Sequence, residues 1–267
     1  MSTSETVKAQ LSALLNQANN TTGKTDADLT AAIASLVAGF GQGGSGGGDI
    51  GALIDRSITE ISSNSATSIG SYAFYSCSEL TTANFPVATS IGSYAFQYCR
   101  SLTTVDFPVA TSIGSYAFQS CSGLTTVDFP VATSIKTSAF QSCSEITTAN
   151  FPVATSIETS AFQSCRSLTT ANFPVATSIG SSAFRSCSEL KSLLLRNNKV
   201  CTLSNTNAFN STPISSGTGY IYVPSALIEQ YKTSTNWSTY AAQFRALEDY
   251  TVDGTITGEL DPAKTGT

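Results

Sequence analysis

The feature that most constrains this chain is an internal repeat with an invariant step of 22 residues. A fixed period of that length marks coils that stack on copies of themselves, because one copy cannot bury its own apolar face. Phe85, Phe107, Phe129, Phe151 and Phe173 each precede Pro-Val-Ala-Thr-Ser. The same step carries Ile69 to Ile179, Phe74 to Phe184, Cys77 to Cys187, and Leu80 through Ile146 to Leu190. In the unit that starts at Leu102, Val105 and Phe107 flank an outward Asp106 with period two, which is a short strand. Pro108 lacks a backbone donor and ends the pairing. Ile113, Ala117 and Cys121 then fall four apart with Phe118 beside them, which predicts a turn or so of helix from near Ser115. Stacked at about 4.8 Å, six coils make a block roughly 30 Å long with a continuous core. The fold class is an α/β repeat, a solenoid of 22-residue coils built from a short strand plus a helical turn.

The pattern Leu-x-x-Val-x-Phe-Pro, followed by Ile-Gly-x-x-Ala-Phe-x-x-Cys, resembles the BspA-type bacterial leucine-rich repeat over about residues 58–210. That resemblance implies a curved leucine-rich-repeat solenoid that binds proteins or cell surfaces, in host-associated bacteria and their phages. It brings no catalytic residues and no cofactor.

The ends differ from the middle. Residues 1–40 read as a small helical head in two stretches, with Leu11 and Leu15 on one apolar face and Leu29, Ile33 and Leu36 on the next. Two short helices are too little for a lone domain, so docking or homo-oligomerisation is expected of them. Residues 41–48 are a glycine-rich linker, 49–212 the solenoid, 213–250 a C-terminal cap over the last coil, and 251–267 a tail. The head–linker–repeat plan, with LIDRSITEI at 53–61 and IYVPSALIEQY at 221–231, resembles tail-associated or accessory proteins of phages and prophages in Gram-positive gut bacteria. The partners this resemblance implies are other virion proteins and a host cell-surface glycan or protein, with the virion as location. The alternative is a bacterial surface or secreted adhesin.

Composition narrows the chemistry. Only 12% of residues are charged and the net charge is −5, so neither nucleic acid nor an anionic membrane is an expected partner. No 18-residue apolar run is present for membrane insertion, and the N-terminus lacks the pattern of a secretory signal. With no histidine, imidazole catalysis and histidine-containing zinc sites are excluded. Gly23-Lys24-Thr25 lacks the earlier glycine of a phosphate-binding loop, since position 18 is Ala. Glu79, Glu145 and Glu189 lie in separate coils, unpaired for glycoside hydrolysis. The expectation is a protein that is no enzyme and holds no cofactor or metal.

Candidate binding residues therefore come from outward columns. Tyr72, Tyr94 and Tyr116 align in successive coils, whereas Ser138, Ser160 and Ser182 follow in the same column. Tyr75 and Tyr98 lie near them with Arg100 just beyond, and exposed Tyr with Arg is the composition of recognition surfaces. The plainer reading is that these rings cover one side of the solenoid. Asn84, Asp106 and Asp128 head a polar column on the strands, read as a solvated ladder or, alternatively, as holders of a cation. The cysteine column reads as a ladder of small buried hydrophobes, with disulfides and metal as alternatives.

Overall fold

The computed structural model describes residues 58–252 and 255–256. The predicted head at 1–40, with Leu11, Leu15, Leu29, Ile33 and Leu36, and the linker at 41–48 lie outside the described residues. Among the described residues no helix is long and apolar enough to cross a membrane.

Each coil has three sides, and each side hydrogen-bonds to the next coil. The first side is a parallel strand array, beginning with Glu60–Ser62, Thr82–Asn84 and Thr104–Asp106. Its middle residue points inward, so Ala83, Val127, Ala149 and Ala171 are buried while their neighbours face outward. The second side is an unbroken parallel sheet of seven two-residue strands from Ser68–Ile69 to Thr202–Leu203, all in 22-residue register until the last.

The third side is where helical spacing had predicted a turn of helix. It consists of successive β-turns: Ala73 N–H donates to the Gly70 carbonyl and Cys77 N–H to the Phe74 carbonyl. Between them, the N–H groups of Tyr72, Phe74 and Ser76 donate to Ser93, Ala95 and Gln97 of the next coil. A helix would turn all these donors inward along its own axis, whereas this side needs every other one for lateral pairing. Two four-residue turns in succession also place Ile69, Ala73 and Cys77 four apart, so the turn and the helix share one sequence signature.

Inside, two phenylalanine ladders run the length of the stack. Phe74, Phe96, Phe118, Phe140, Phe162 and Phe184 step by 5.0–5.6 Å between ring centroids, and the ladder from Phe85 to Phe173 packs alongside. All are at most 1% exposed. Offset stacks add about 0.5–1.5 kcal/mol per pair beyond area burial. The cysteines are free and buried, and the Sγ of Cys99, Cys121, Cys143, Cys165 and Cys187 each donates to a phenylalanine carbonyl of the preceding coil. Outside, threonine hydroxyls tie coil to coil, as where Thr103 Oγ1 donates to the Thr81 carbonyl and Thr111 Oγ1 to that of Thr89.

The seventh coil loosens the period, and the aromatic ladder ends on Phe209, which meets Trp237 and Tyr240 at 5.9 and 5.3 Å. Trp237 Nε1 donates to the Cys201 carbonyl, and the Tyr231 hydroxyl accepts from Cys201 N–H at 2.9 Å. These contacts satisfy the polar edge of the last coil as well as its apolar face. Short helices at Pro213–Ser216 and Ile228–Thr233 and the strands Tyr220–Val223 and Phe244–Ala246 complete this end. In the tail, Thr251–Val252 pairs antiparallel with Thr255–Ile256.

One junction breaks the regularity, between the coils of residues 102–123 and 124–145. There the first-side array divides into a sheet of three strands and a sheet of six, between Thr104–Asp106 and Thr126–Asp128. This is where Asp106 adjoins Asp128 and Val105 adjoins Val127, while the strands at Thr82–Asn84, Thr148–Asn150 and Thr170–Asn172 carry Asn and Ala at these places. Like charges on adjacent strands repel, and two valines are bulkier than the alanines elsewhere. Phe107 and Phe129 are correspondingly 6.2 Å apart, against 5.4 and 5.6 Å on either side. On the second side Lys136 replaces the column glycine. A Cβ at Gly114 would come within 2.6 Å of the Gly92 backbone, so a side chain in this column needs room. The bond from Lys136 N–H to the Ile113 carbonyl is 3.4 Å, whereas its Gly92 and Gly114 equivalents are 2.8 Å and that of Glu158, which also replaces the glycine, is 2.9 Å, so the lengthening is particular to this junction.

Candidate recognition surface

The tyrosine column becomes a stack on the third side. Tyr72 and Tyr94 lie 4.6 Å apart and tilted by 8°, and Tyr94 and Tyr116 lie 4.8 Å apart and tilted by 5°. The turn chemistry fixes the direction of these rings. Each occupies the third residue of a β-turn, with φ of 61°, 61° and 60°. That position favours Gly or Asn, and a bulky residue there is a genuine outlier. Burial pushes the Tyr94 phenol up, and the phenols of Tyr72 and Tyr116 on either side push it further.

A second left-handed column follows four residues later. Here Ser76, Ser120, Ser142, Ser164 and Ser186 have φ near +60°, and Tyr98 stands among them with φ of 65°. Tyr75 meets Tyr98 edge-to-face at 5.7 Å and 83°, and leans on Tyr72 at 5.8 Å. Tyr75, Ser76, Ser78, Tyr98 and Arg100 line a surface concavity of about 370 Å³. The structure thus brings Tyr72, Tyr94, Tyr98, Tyr116 and Arg100 onto one side of one end of the solenoid.

It does not bring Asn84, Asp106 and Asp128 to them. Those residues lie on the first side, in lateral register with one another, apart from the division at the junction. Asn150 Nδ2 donates to Asp128 Oδ1 at 2.9 Å, while the buried Oδ1 of Asn84 has no hydrogen-bond partner. Among the described residues no group of three or more Cys, Asp or Glu is arranged to hold a metal. Desolvation pushes up the buried thiols of Cys121, Cys143 and Cys165, and those of Cys187 and Cys201 to about 12, which keeps these five protonated.

Sequence reasoning missed two features of this side. Gln97, Gln119 and Gln141 form a side-chain ladder, the second link at 2.6 Å, which their 22-residue recurrence signalled. The left-handed backbone under the tyrosines had no such signal, because Tyr does not mark positive φ. The serines that replace it in later coils do not exclude it, but they do not announce it either.

A family model for the "BspA type Leucine rich repeat region" matches residues 54–169 and 111–231 in six copies, about two thirds of the chain together. The chain belongs to the BspA-type leucine-rich repeat family. Among solved structures it is similar to a leucine-rich repeat protein from Bacteroides ovatus, at 22% identity over 63% of this chain and 56% of that one, with a TM-score of 0.39. It is also similar to the leucine-rich repeat protein of T. pallidum, at 26% identity over 52% of this chain and 60% of that one (TM-score 0.36). The pneumococcal vaccine antigen PcpA shares 16% identity over 71% of this chain and 66% of its own (TM-score 0.36). The chain thus spans under two thirds of the first two. No curated protein matches it.

Proposed function

We propose that this leucine-rich-repeat protein is a non-catalytic recognition appendage whose third side contacts a host-surface glycan or protein. One observation carries the reading. Four tyrosines, Tyr72, Tyr94, Tyr98 and Tyr116, are held in left-handed backbone in three adjacent coils, where the following coils use serine for the same turns. Every coil adopts this backbone at these turn positions, so the turn belongs to the repeat; the departure is a bulky ring where small serines otherwise stand. The phenylalanine core is continuous through the serine coils too, so the solenoid does not need the tyrosines to stack. Their presence answers to what they display.

The carrier in this reading is a phage virion. The helical head, through Leu11, Leu15, Leu29, Ile33 and Leu36, docks on other virion proteins or pairs with a second copy. The same display suits a bacterial cell-surface adhesin, and family membership supports both equally. Neighbouring genes for tail or capsid parts favour the first, and an adjoining export system the second.

The test is binding to host cells and a glycan array by the intact protein and its Tyr72/Tyr94/Tyr116→Ser variant. Loss of binding with an unchanged melting profile supports the tyrosine surface, and unchanged binding sinks it. Comparing the mass of the intact protein with that of residues 49–267 tests the head, and monomers in both cases rule out pairing through it.

A further inference from the structure

We infer that the concavity beside the tyrosine stack binds an anionic sugar, with Arg100 holding its carboxylate or phosphate and Tyr75 and Tyr98 its ring. This rests on reading the third side as the recognition surface and goes further by naming the ligand chemistry.

Three of the five lining residues depart from the common residue of their column, and the three departures meet at one place. Tyr75 stands where Gln97, Gln119, Gln141 and Gln163 recur, and Tyr98 where the other five coils have serine. Arg100 stands where Ser78, Ser122, Ser144 and Ser188 recur; Arg166 is the other arginine of the column, but the tyrosine columns beside it hold Gln163 and Ser164. Near-identical coils make such coincidence informative, because most other outward columns of the stack hardly change.

The chemistry follows from what each group leaves unused. Arg100 is exposed, takes part in neither ion pair found among the described residues, and its guanidinium makes no hydrogen bond to them. Arg245 shows the contrast, since it lies over the Tyr220 ring at 4.3 Å and donates to the Ala242 and Phe244 carbonyls. An uncommitted guanidinium is a planar fork suited to one carboxylate or phosphate. The edge-to-face pair of Tyr75 and Tyr98 offers a ring face and phenol hydroxyls, and Ser76 and Ser78 add hydroxyls to the lining. About 370 Å³ lies toward the small end of ligand pockets and suits one or two sugar rings. No apolar anchor hole for a peptide side chain is present in this lining. Glu79 stands beside Ser78 and accepts its hydroxyl at 3.2 Å. With a chain of net charge −5, that carboxylate disfavours a polyanion and leaves a ligand with a single anionic group.

The experiment is calorimetric titration of the full chain with a galacturonate, its neutral galactose counterpart, galactose 1-phosphate and a short glutamate-containing peptide. Binding of the galacturonate or of the sugar phosphate, whichever is the source of the anion, is expected to exceed that of the neutral sugar by about tenfold or more. R100S and Y98S are each expected to reduce it about tenfold, whereas Arg166→Ser leaves it unchanged. Serine occupies both columns elsewhere in the stack, so both variants are expected to keep the wild-type melting profile. Binding of the peptide alone, of the neutral sugar equally well, of neither anion, or an unaffected R100S overturns the proposal. If R100S attaches to host cells as wild type does while the triple Tyr→Ser variant does not, the recognition surface stands and the anionic sugar falls.

Discussion

The coils of residues 58–123 and those of residues 124–189 share one interior and differ in what they show outside. Both halves bury the same Ile, Ala, Phe, Cys and Leu or Ile columns to within a few per cent exposure. Outside, the first half carries stacked tyrosines and Arg100, and the second carries serines, the Lys136–Glu158 pair and Arg166. The two halves meet at a junction where all three sides change together. The first-side sheet parts, the second-side bond at Lys136 lengthens, and the tyrosine stack ends at Tyr116. The lesson is that stability and display are written in separate columns of one repeat, so display can change along the stack while the core is copied unchanged.

The strongest way to break this comparison is to damage the shared interior. Phe96 touches four phenylalanine rings, as does Phe162 in the other half. Phe96→Ala and Phe162→Ala are each expected to cost about 3–5 kcal/mol, by equal amounts in denaturant unfolding. Unequal losses would show that the interiors are alike in sequence but not in packing. Because each coil leans only on its neighbours, the unfolding transition also broadens if one half is lost first.

A smaller effect is expected at the junction, and it has the opposite sign. Asp106→Asn restores the residue type of the intact strands and removes a like-charge contact with Asp128. It should stabilise by about 0.5–1 kcal/mol and slow amide exchange along 104–106 and 126–128. Asn150 already shows the bond that becomes available, since its Nδ2 donates to Asp128 Oδ1. No gain in stability would mean that the valine pair, not the charge pair, parts the strands.

The outward half of the comparison should be almost silent in stability. Tyr94→Ser removes two ring stacks that are only half-buried, about 1 kcal/mol together at the low end of the range per pair, and leaves a serine in the turn as in the later coils. The expected net change is under about 1 kcal/mol by thermal melting, with the loss appearing in binding instead. A large destabilisation would make the stack a structural device and weaken the proposal that it recognises a ligand.

The solenoid, its period and its buried columns were legible in the sequence because they depend on residues that repeat at 22-residue steps. Tyr72, Tyr94 and Tyr116 could be aligned for the same reason, and the family resemblance rested on those columns. What could not be read was how the third side is built. Ile69, Ala73 and Cys77 are spaced as a helix spaces them, but lateral pairing at Tyr72, Phe74 and Ser76 makes β-turns of the segment. The period-two pattern did place Asn84, Asp106 and Asp128 on the strands, apart from the tyrosines of the turn segment. Two aspartates on neighbouring strands repel, but the column alone does not show that the strands part at Asp106 and Asp128.

The smallest expected effect tests whether the second half's own decoration matters. Glu158 is pushed up by desolvation, but hydrogen bonds from Lys136 and Thr137 outweigh this and its carboxyl is held below its usual value of 4.5. A carboxyl lowered in the folded state adds stability at pH values above its unfolded pKa and loses that increment as pH falls through the folded pKa. The pair's side chains are 45% and 32% exposed, so solvent screening keeps the increment well under 1 kcal/mol. Lys136→Gly removes the ammonium and restores the column glycine, whose lateral bonds at Gly92 and Gly114 are 2.8 Å against 3.4 Å at Lys136. Wild type should therefore lose slightly more stability than this variant between about pH 5 and pH 3, measured by chemical unfolding at each pH. If Lys136→Gly is more stable than wild type even at pH 7, relief at the junction exceeds the ion pair, and the lysine is there for its exposed charge.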